Sequence, residues 1–530
     1  MPTFPAYSSP RVASTYTPVR DLLRRIQSTS PPTLLLMAAG LGMGGMMALL
    51  LFATKPLIVA LPIAGLVVAM PTLIVRDKRM YWFGLFLFAL QFEIQKNLND
   101  GLAIKEQLQI DYTLWNFTFQ LQATDLILVV LLFYWYVHAV ARGQRLYFPS
   151  AAWLVVGYFG FCLLSLASAP SAYLGLVEIW RQLKFFLVFL YVINNVNSKA
   201  TLRQVALIGV AILTIQGAVT AVRYETGWMQ QLNFGDARQD EDDVLLYLSV
   251  DRDAAGEQVR SFGTLGSPGS TLRLSMLVIP FALLLSMRNP VFSYRLLFLG
   301  LTAFGMGALL LTFTRAYYLT TAVQVAAAFL IGVRHRYLSR IEVLLLVVLG
   351  LGGLAAIAPK LYEQLTVRQD SVTVRMQQYK ATTDMILDNP VFGVGLNNGT
   401  GVKERYANVT FNEQDPDTQF YLEPTHNVYL SLTSEIGLIG SMLYFAFFAN
   451  AVSRIWRVSN CEDPELQFFA NALLVAFAGI FVNSLYDPMH EHAVMNLTWV
   501  YCGLAFALTK MSPREPDKRV ALAASSPRAR

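Results

Sequence analysis

The chain has 530 residues, 55% of them hydrophobic and only 14% charged, with a formal net charge of +6. A soluble domain carries about 25% charged residues, so the composition excludes a water-soluble globular protein and describes a chain built for lipid. The basic excess implies no nucleic acid, because Lys and Arg gather in short connections and at both ends, where they orient membrane spans.

Residues 1–32 hold Pro, Ser and several Arg but no early apolar run, so they read as a cytoplasmic tail rather than a cleaved leader. Apolar runs near the roughly 20 residues needed to cross a bilayer then recur along the chain. They fall at 33–53, 57–75, 80–95, 123–140, 151–169, 182–194, 203–222, 271–287, 294–313, 316–333, 341–358, 428–449, 466–484 and 493–509. The shortest are 80–95 and 182–194. The expected fold is all-α and polytopic, with about 12–14 transmembrane helices.

Every second connection is basic: Arg76 to Arg79, Arg142 to Arg145, Lys199 to Arg203, Arg288 to Arg295, Arg334 to Arg340, and Arg454 to Arg457. Placed in the cytoplasm with the tails 1–32 and 510–530, they satisfy the positive-inside rule and make the span count even. The organisation is then helices over 33–358 with an outward loop at 223–269, a large outward loop at 359–427 containing short helices, and helices over 428–509. Another outward connection covers 96–122. Loops longer than about 15 residues are usually functional or disordered. The one at 359–427 carries aromatic residues, Gly393-Val-Gly395 and a histidine at its exit, which favours function. Chemistry on that side has no nucleotide sugar or ATP to draw on, so a substrate must arrive already activated.

Ionisable groups at membrane depth are costly, which makes each one informative. Arg181 and Lys184, at i and i+3, share a helix face and either snorkel to the interface or bind an anionic headgroup. Arg260 closes the loop 223–269 in Arg260-Ser-Phe-Gly-Thr-Leu-Gly-Ser-Pro-Gly269, with Arg273 one turn into the next helix. Gly263, Gly266 and Gly269 would let backbone amides approach an anion at that helix start, although a plain loop-to-helix turn has the same pattern. Arg315 sits in a tight outward connection, as a ligand or as a helix anchor.

A helix is expected over Ser371–Leu387, capped by Asp370 and stopped by Asn389-Pro390. It places Arg375 and Tyr379 one turn apart. Gly393-Val-Gly395 then turns the chain; without a preceding strand or a third glycine it is no dinucleotide fingerprint. His426 and Asn427 stand at the start of the following span. Helix amides there favour anions and disfavour imidazolium, so a neutral histidine able to accept a proton is expected. The plainer reading is an interfacial helix cap. His490-Glu-His492 has i,i+2 spacing and no third ligand, so no metal site is expected. Cys162, Cys461 and Cys502 suggest no disulfide framework.

Several segments stand in one order over about residues 150–510: Arg260 to Gly269, Thr312-Phe-Thr-Arg315, Arg375-Met-Gln-Gln-Tyr379, Asn389-Pro-Val-Phe-Gly-Val-Gly395, and His426-Asn-Val-Tyr-Leu430 with Glu435-Ile-Gly-Leu-Ile-Gly440. In this the chain resembles the O-antigen ligase and O-antigen polymerase superfamily of bacterial membrane glycosyltransferases. Ser267-Pro-Gly269 and Phe313 depart from the commoner residues at those places. The resemblance implies metal-independent, inverting transfer of a glycan from a polyprenyl-diphosphate-linked donor to an acceptor hydroxyl on lipid A core or a growing polysaccharide. It implies the periplasmic face of the inner membrane, the lipid bilayer as a further partner, no cofactor and no nucleic acid. By resemblance, His426 is the catalytic residue that orients or deprotonates the acceptor hydroxyl. Arg260 and Arg375 bind the diphosphate, with Arg315, Arg181 and Lys184 as further candidates. Tyr379, Gly393, Gly395 and Asn427 support the acceptor or the loop. The other class is a transporter or flippase for an anionic or lipid-linked substrate, which calls for polar groups at mid-depth along several spans rather than a cluster at one face.

Overall fold

The computed structural model describes residues 75–98, 118–226, 250–251, 258–342, 369–406 and 424–512, apart from isolated positions within those ranges. The chain forms two units, Met1–Tyr81 and Trp82–Arg530. Both tails, the spans expected at 33–53 and 57–75, and most of 341–358, 96–122 and 223–269 lie outside the described residues.

Thirteen helices are described: α1 Lys78–Ala89, α2 Ala123–Ala141, α3 Ala152–Ser165, α4 Ala172–Asn195, α5 Lys199–Thr226, α6 Pro268–Arg288, α7 Phe292–Leu310, α8 Arg315–Arg334, α9 Gln369–Asp388, α10 Gly399–Lys403, α11 Val428–Val458, α12 Pro464–Asn483 and α13 His492–Met511. Among the described residues, eight helices are long and apolar enough to cross a membrane: α2, α5 to α8 and α11 to α13. In hydrocarbon each backbone amide must be satisfied within its own segment, which is why an apolar chain of this kind folds as helices. Two short antiparallel pairs accompany them, Gln95–Asn97 with Gln120–Gln122 and Val250–Asp251 with Gln258–Val259.

α4 begins at Ala172, well before the apolar run at 182–194. The gap between the apolar runs at 151–169 and 182–194 is therefore mostly helix. Its polar residues are paired inside the protein, so a criterion of unbroken apolarity cuts the helix short.

The centre of the bundle is α6 and α13, whose spans are 89% and 94% buried, against 22% for α2 and α7. Lipid offers no hydrophobic drive for helices to associate, so packing and hydrogen bonds must hold them. α13 supplies both. Trp499 stacks on Phe447 of α11 at 5.3 Å between ring centroids, Phe506 meets Phe189 of α4 edge-on at 5.3 Å, and Tyr501 Oη donates to the Leu277 carbonyl of α6 at 2.8 Å. Each aromatic pair adds about 0.5–1.5 kcal/mol beyond the area it buries.

The two ends of the bundle differ. At one, Lys199 pairs with Asp463 at 2.5 Å, Arg203 with Glu465 at 2.6 Å, and Lys510 donates to the Ile193 carbonyl at 2.6 Å. The other end gathers the starts of α4, α6, α8, α11 and α13. There α9 and the segment after it pack on α11.

That packing rests on a broken helix. Residues 428–449 read as one continuous span, but α11 is interrupted at Gly437, with φ 75° and ψ 175°. The turn after α9 fits into the break. Val394 N donates to the Ser434 carbonyl at 2.9 Å, Gly395 N to Glu435 at 3.0 Å, and Leu438 N to Pro390 at 2.8 Å. The helical bonds lost at the break are thus remade by the loop. Asn397 and Asn398 tie the same turn to α4: Asn397 Nδ2 reaches the Leu174 carbonyl at 3.1 Å, and Asn398 exchanges two bonds with Ser171, at 2.9 and 3.1 Å.

Candidate active site

α9 starts at Gln369, so Asp370 lies inside the helix rather than capping it, and the helix ends before Asn389-Pro390 as the sequence predicts. Val374, Gln378, Thr382 and Met385 recur at helical spacing and are buried. Thr382 Oγ1 lies 2.7 Å from Thr425 Oγ1 at the loop's exit. One face over, the Tyr379 hydroxyl reaches the His426 carbonyl at 2.7 Å and the Leu485 carbonyl at 3.1 Å. Asn427 caps α11 by accepting from Leu430 N at 3.0 Å, while its Nδ2 donates to Leu485 at 3.0 Å. The exit of the large loop is therefore fixed from three sides, by α9, by α11 and by the chain after α12.

The charges around His426 are unusual. Burial, then the positive charge of Arg375, pushes the imidazole pKa down to about 4, with Lys403 and Arg273 adding to the push and Asp487 opposing it. Near neutral pH the ring is uncharged. Arg375 has its Nε buried with no hydrogen bond among the described residues. Burial raises the Tyr379 hydroxyl pKa, against the charge of Arg375, so it stays a donor. Lys403, at the end of α10, is almost fully buried. Arg273 forms ion pairs with Asp487 and Glu491.

The structure thus brings together Arg375, Tyr379, His426 and Asn427, with Gly393 (φ 70°) and Gly395 (φ 103°) forming the turn that docks on α11. Arg260 lies outside the described residues, as does the side chain of Arg315, the first residue of α8. At Gly263 and Thr264 the amides are not offered outward to a ligand as expected, and Gly266 lies outside the described residues. Gly263 N donates to Thr271 Oγ1 at 2.9 Å and Thr264 N to Gln216 Oε1 at 2.9 Å. A Cβ at Gly263 would lie 1.8 Å from Gln216 Oε1, so the glycine admits a side chain of the protein itself. Arg273 likewise has two carboxylates on its guanidinium.

Arg181 and Lys184 are not at an interface. Arg181 pairs with Glu178 at 2.6 Å and Lys184 with Asp125 of α2 at 2.7 Å, all four side chains being buried. Removing one partner of a buried pair typically costs about 3–5 kcal/mol, whereas replacing both by apolar groups is often neutral. Lys184→Met is expected to lower the thermal unfolding temperature in detergent clearly, and the double change Lys184→Met with Asp125→Leu to recover most of it. A headgroup-binding lysine would give equal stability in both.

Beside the loop's exit, α4, α11 and α12 enclose a cavity of about 140 Å³ lined by residues that include Glu178, Arg181, Glu435, Pro424 and Val428. Lys403, Asp487 and the pairing of Glu178 were not singled out by sequence. Glu435 lay within a quoted motif without a role; its Oε2 accepts from Asn397 N at 2.9 Å. Among the described residues no group of three His, Cys, Asp or Glu side chains could hold a metal ion.

Residues 297–445 match the family model described as O-antigen ligase. This segment is an O-antigen ligase family domain. It runs from α7 to the first half of α11 and contains Arg315, Arg375, Tyr379, Gly393, Gly395, His426 and Asn427, while Arg181, Lys184 and Arg260 fall outside it. The match supports, in general terms, a membrane glycosyltransferase of the ligase or polymerase kind. Comparison with curated proteins finds no match.

Proposed function

We propose that this chain transfers a glycan from a polyprenyl-diphosphate-linked donor to an acceptor hydroxyl, on lipid A core or a growing polysaccharide, at the periplasmic face of a bacterial inner membrane. One observation carries the reading: a half-buried, uncharged His426 stands in the field of Arg375, whose Nε has no hydrogen bond among the described residues. A neutral ring can accept a proton. A guanidinium with a spare donor suits diphosphate oxygens, which it binds by charge-assisted bonds. The orientation follows from the basic end of the bundle at Lys199, Arg203 and Lys510, which the positive-inside rule assigns to the cytoplasm together with both termini.

In this reading the acceptor oxygen attacks the anomeric carbon from the side opposite the diphosphate, inverting its configuration. The hydroxyl proton passes to the His426 ring. The bond from the anomeric carbon to the diphosphate oxygen breaks, and its electron pair leaves on the polyprenyl diphosphate. Arg375, with Arg260 and Arg315 in the same role, stabilises the charge that grows there, so neither a metal nor a cofactor is called for. Tyr379 and Asn427 position His426 through the backbone. Arg181 and Lys184, already paired, act by holding α4 in place.

Arg375→Ala tests this in cells. Loss of a charge-assisted bond is worth about 1.5–3 kcal/mol, or roughly 10- to 150-fold in transfer. The expected result is accumulated lipid-linked precursor and depleted surface glycan; normal surface glycan would sink the reading. Glycans halted at one repeat unit indicate a polymerase, and full-length chains not joined to lipid A indicate a ligase.

A further inference from the structure

The cavity between α4, α11 and α12 has a polar wall and an aromatic wall. On the polar side, Arg181 grips Glu178 through Nε–Oε2 at 2.8 Å and Nη2–Oε1 at 2.6 Å, and Gln182 Nε2 donates to the same carboxylate at 2.7 Å. Gln182 Oε1 is left buried with no hydrogen bond among the described residues, on a residue only 7% exposed. The amide cannot be turned round, because that would set Oε1 against a Glu178 oxygen. Glu435 adds a second carboxylate from α11. The same cavity is lined by Tyr429 and Phe445, with ring centroids 5.2 Å apart, and by Tyr444 and Phe448, 4.8 Å apart.

A buried acceptor without a donor costs about 1–3 kcal/mol, so what fills this space should bring hydroxyl or N–H groups. An isoprenoid tail has none. An ionised phosphate has none either, and would meet Glu178 and Glu435. A sugar ring has several hydroxyls, together with a face of C–H groups that lies flat on aromatic rings. The geometry points to a subsite for one uncharged sugar ring, with Gln182 Oε1 and Glu435 accepting its hydroxyls and the aromatic wall covering its C–H face. The cavity is also lined by Pro424 and Val428, which flank Thr425, His426 and Asn427 in the chain. A ring held there touches the chain on either side of the segment that carries the proposed base. Its part in transfer rests on the function proposed above; the binding itself does not. The ring belongs either to the donor, next to its diphosphate, or to the end of the acceptor.

Saturation-transfer NMR on the purified full-length protein in detergent, with free glucose, galactose, N-acetylglucosamine and rhamnose as probes, tests the binding. At least one sugar is expected to bind saturably. Glu435→Gln and Gln182→Leu are expected to weaken it by roughly tenfold or more, and Arg375→Ala to leave it unchanged. Unfolding temperatures identify a variant that has lost its fold, and Tyr429→Leu then reads the aromatic wall in its place. No sugar binding by the unaltered protein, binding indifferent to these substitutions, or a signal abolished by farnesol would each overturn the subsite. If Arg375→Ala leaves surface glycan normal while sugar binding behaves as expected, the transferase reading falls and the subsite stands. In a transfer assay with each substrate varied separately, a raised acceptor KM in Glu435→Gln assigns the ring to the acceptor, and a raised donor KM to the donor.

Discussion

His426→Ala is expected to lower glycan transfer by about 10²- to 10⁴-fold, the range set by loss of a positioned general base, without a matching loss of thermal stability. The native pH profile separates a base from a mere helix-start residue. In the free protein, burial and the charge of Arg375 hold the imidazole near pKa 4 rather than its ordinary 6.5. The acid limb of kcat/KM, which reports the free enzyme, is therefore expected near pH 4. Bound diphosphate offsets the positive charge of Arg375, so the ring gains affinity for a proton and the acid limb of kcat should move to higher pH. Stability has its own sign. Above pH 6.5 the ring is neutral folded or unfolded; as pH falls from 6.5 towards 4, the unfolded chain takes up a proton that the folded ring refuses, and stability declines across that window. A kcat/KM limb at 6.5 that does not shift on substrate binding would contradict the role assigned to His426.

The membrane architecture and α9 were legible because each rests on a short-range signal. Apolar length marks the spans, basic connections alternate, and Asn389-Pro390 stops the helix where expected. Its buried face, at Val374, Gln378 and Met385, was not legible, because the spacing of Met376, Tyr379, Thr383 and Ile386 suggests another face, on which Met376 and Thr383 are exposed. What joins α9 to His426 was less legible, since the contact from Tyr379 to the His426 carbonyl spans 47 residues and depends on how the loop closes. Charge showed the same limit. Arg181 and Lys184 stood out as charges in an apolar run, yet their partners decide what they do. Glu178 lies three residues from Arg181 and could have been read; Asp125 lies 59 residues from Lys184 and could not. Glycine likewise reports that something comes close without reporting what. At Gly263 the visitor is Gln216, not a ligand. At Gly437 it is the turn after α9, which no span pattern over 428–449 foretells.

Gly437→Ala and Gly393→Ala are expected to destabilise the protein by about 3–5 kcal/mol each, from backbone strain and lost hydrogen bonds together. Both residues have positive φ, 75° and 70°, where a side chain costs roughly 1–2 kcal/mol. A Cβ on Gly437 would lie 2.1 Å from the Val391 carbonyl oxygen, and one on Gly393 2.3 Å from the Glu435 carbonyl carbon. Those neighbours are backbone and cannot rotate aside, so the turn must lift from the broken helix. Lifting it breaks the bonds from Val394, Gly395 and Leu438 that complete the interrupted ladder of α11, at about 0.5–1.5 kcal/mol apiece. The same displacement loosens Asn397 from Glu435 and frees the segment that leads to Lys403, whose charge acts on His426. Activity should therefore fall along with the unfolding temperature, and the loop should become sensitive to protease. Gly160→Ala is the control: it lies within α3 and its Cβ would meet nothing within 4 Å, so it should be neutral or slightly stabilising. Were Gly437→Ala to match that control in stability and activity, the loop would not be anchored by the break in α11, and the geometry placing His426 beside Arg375 would need another support.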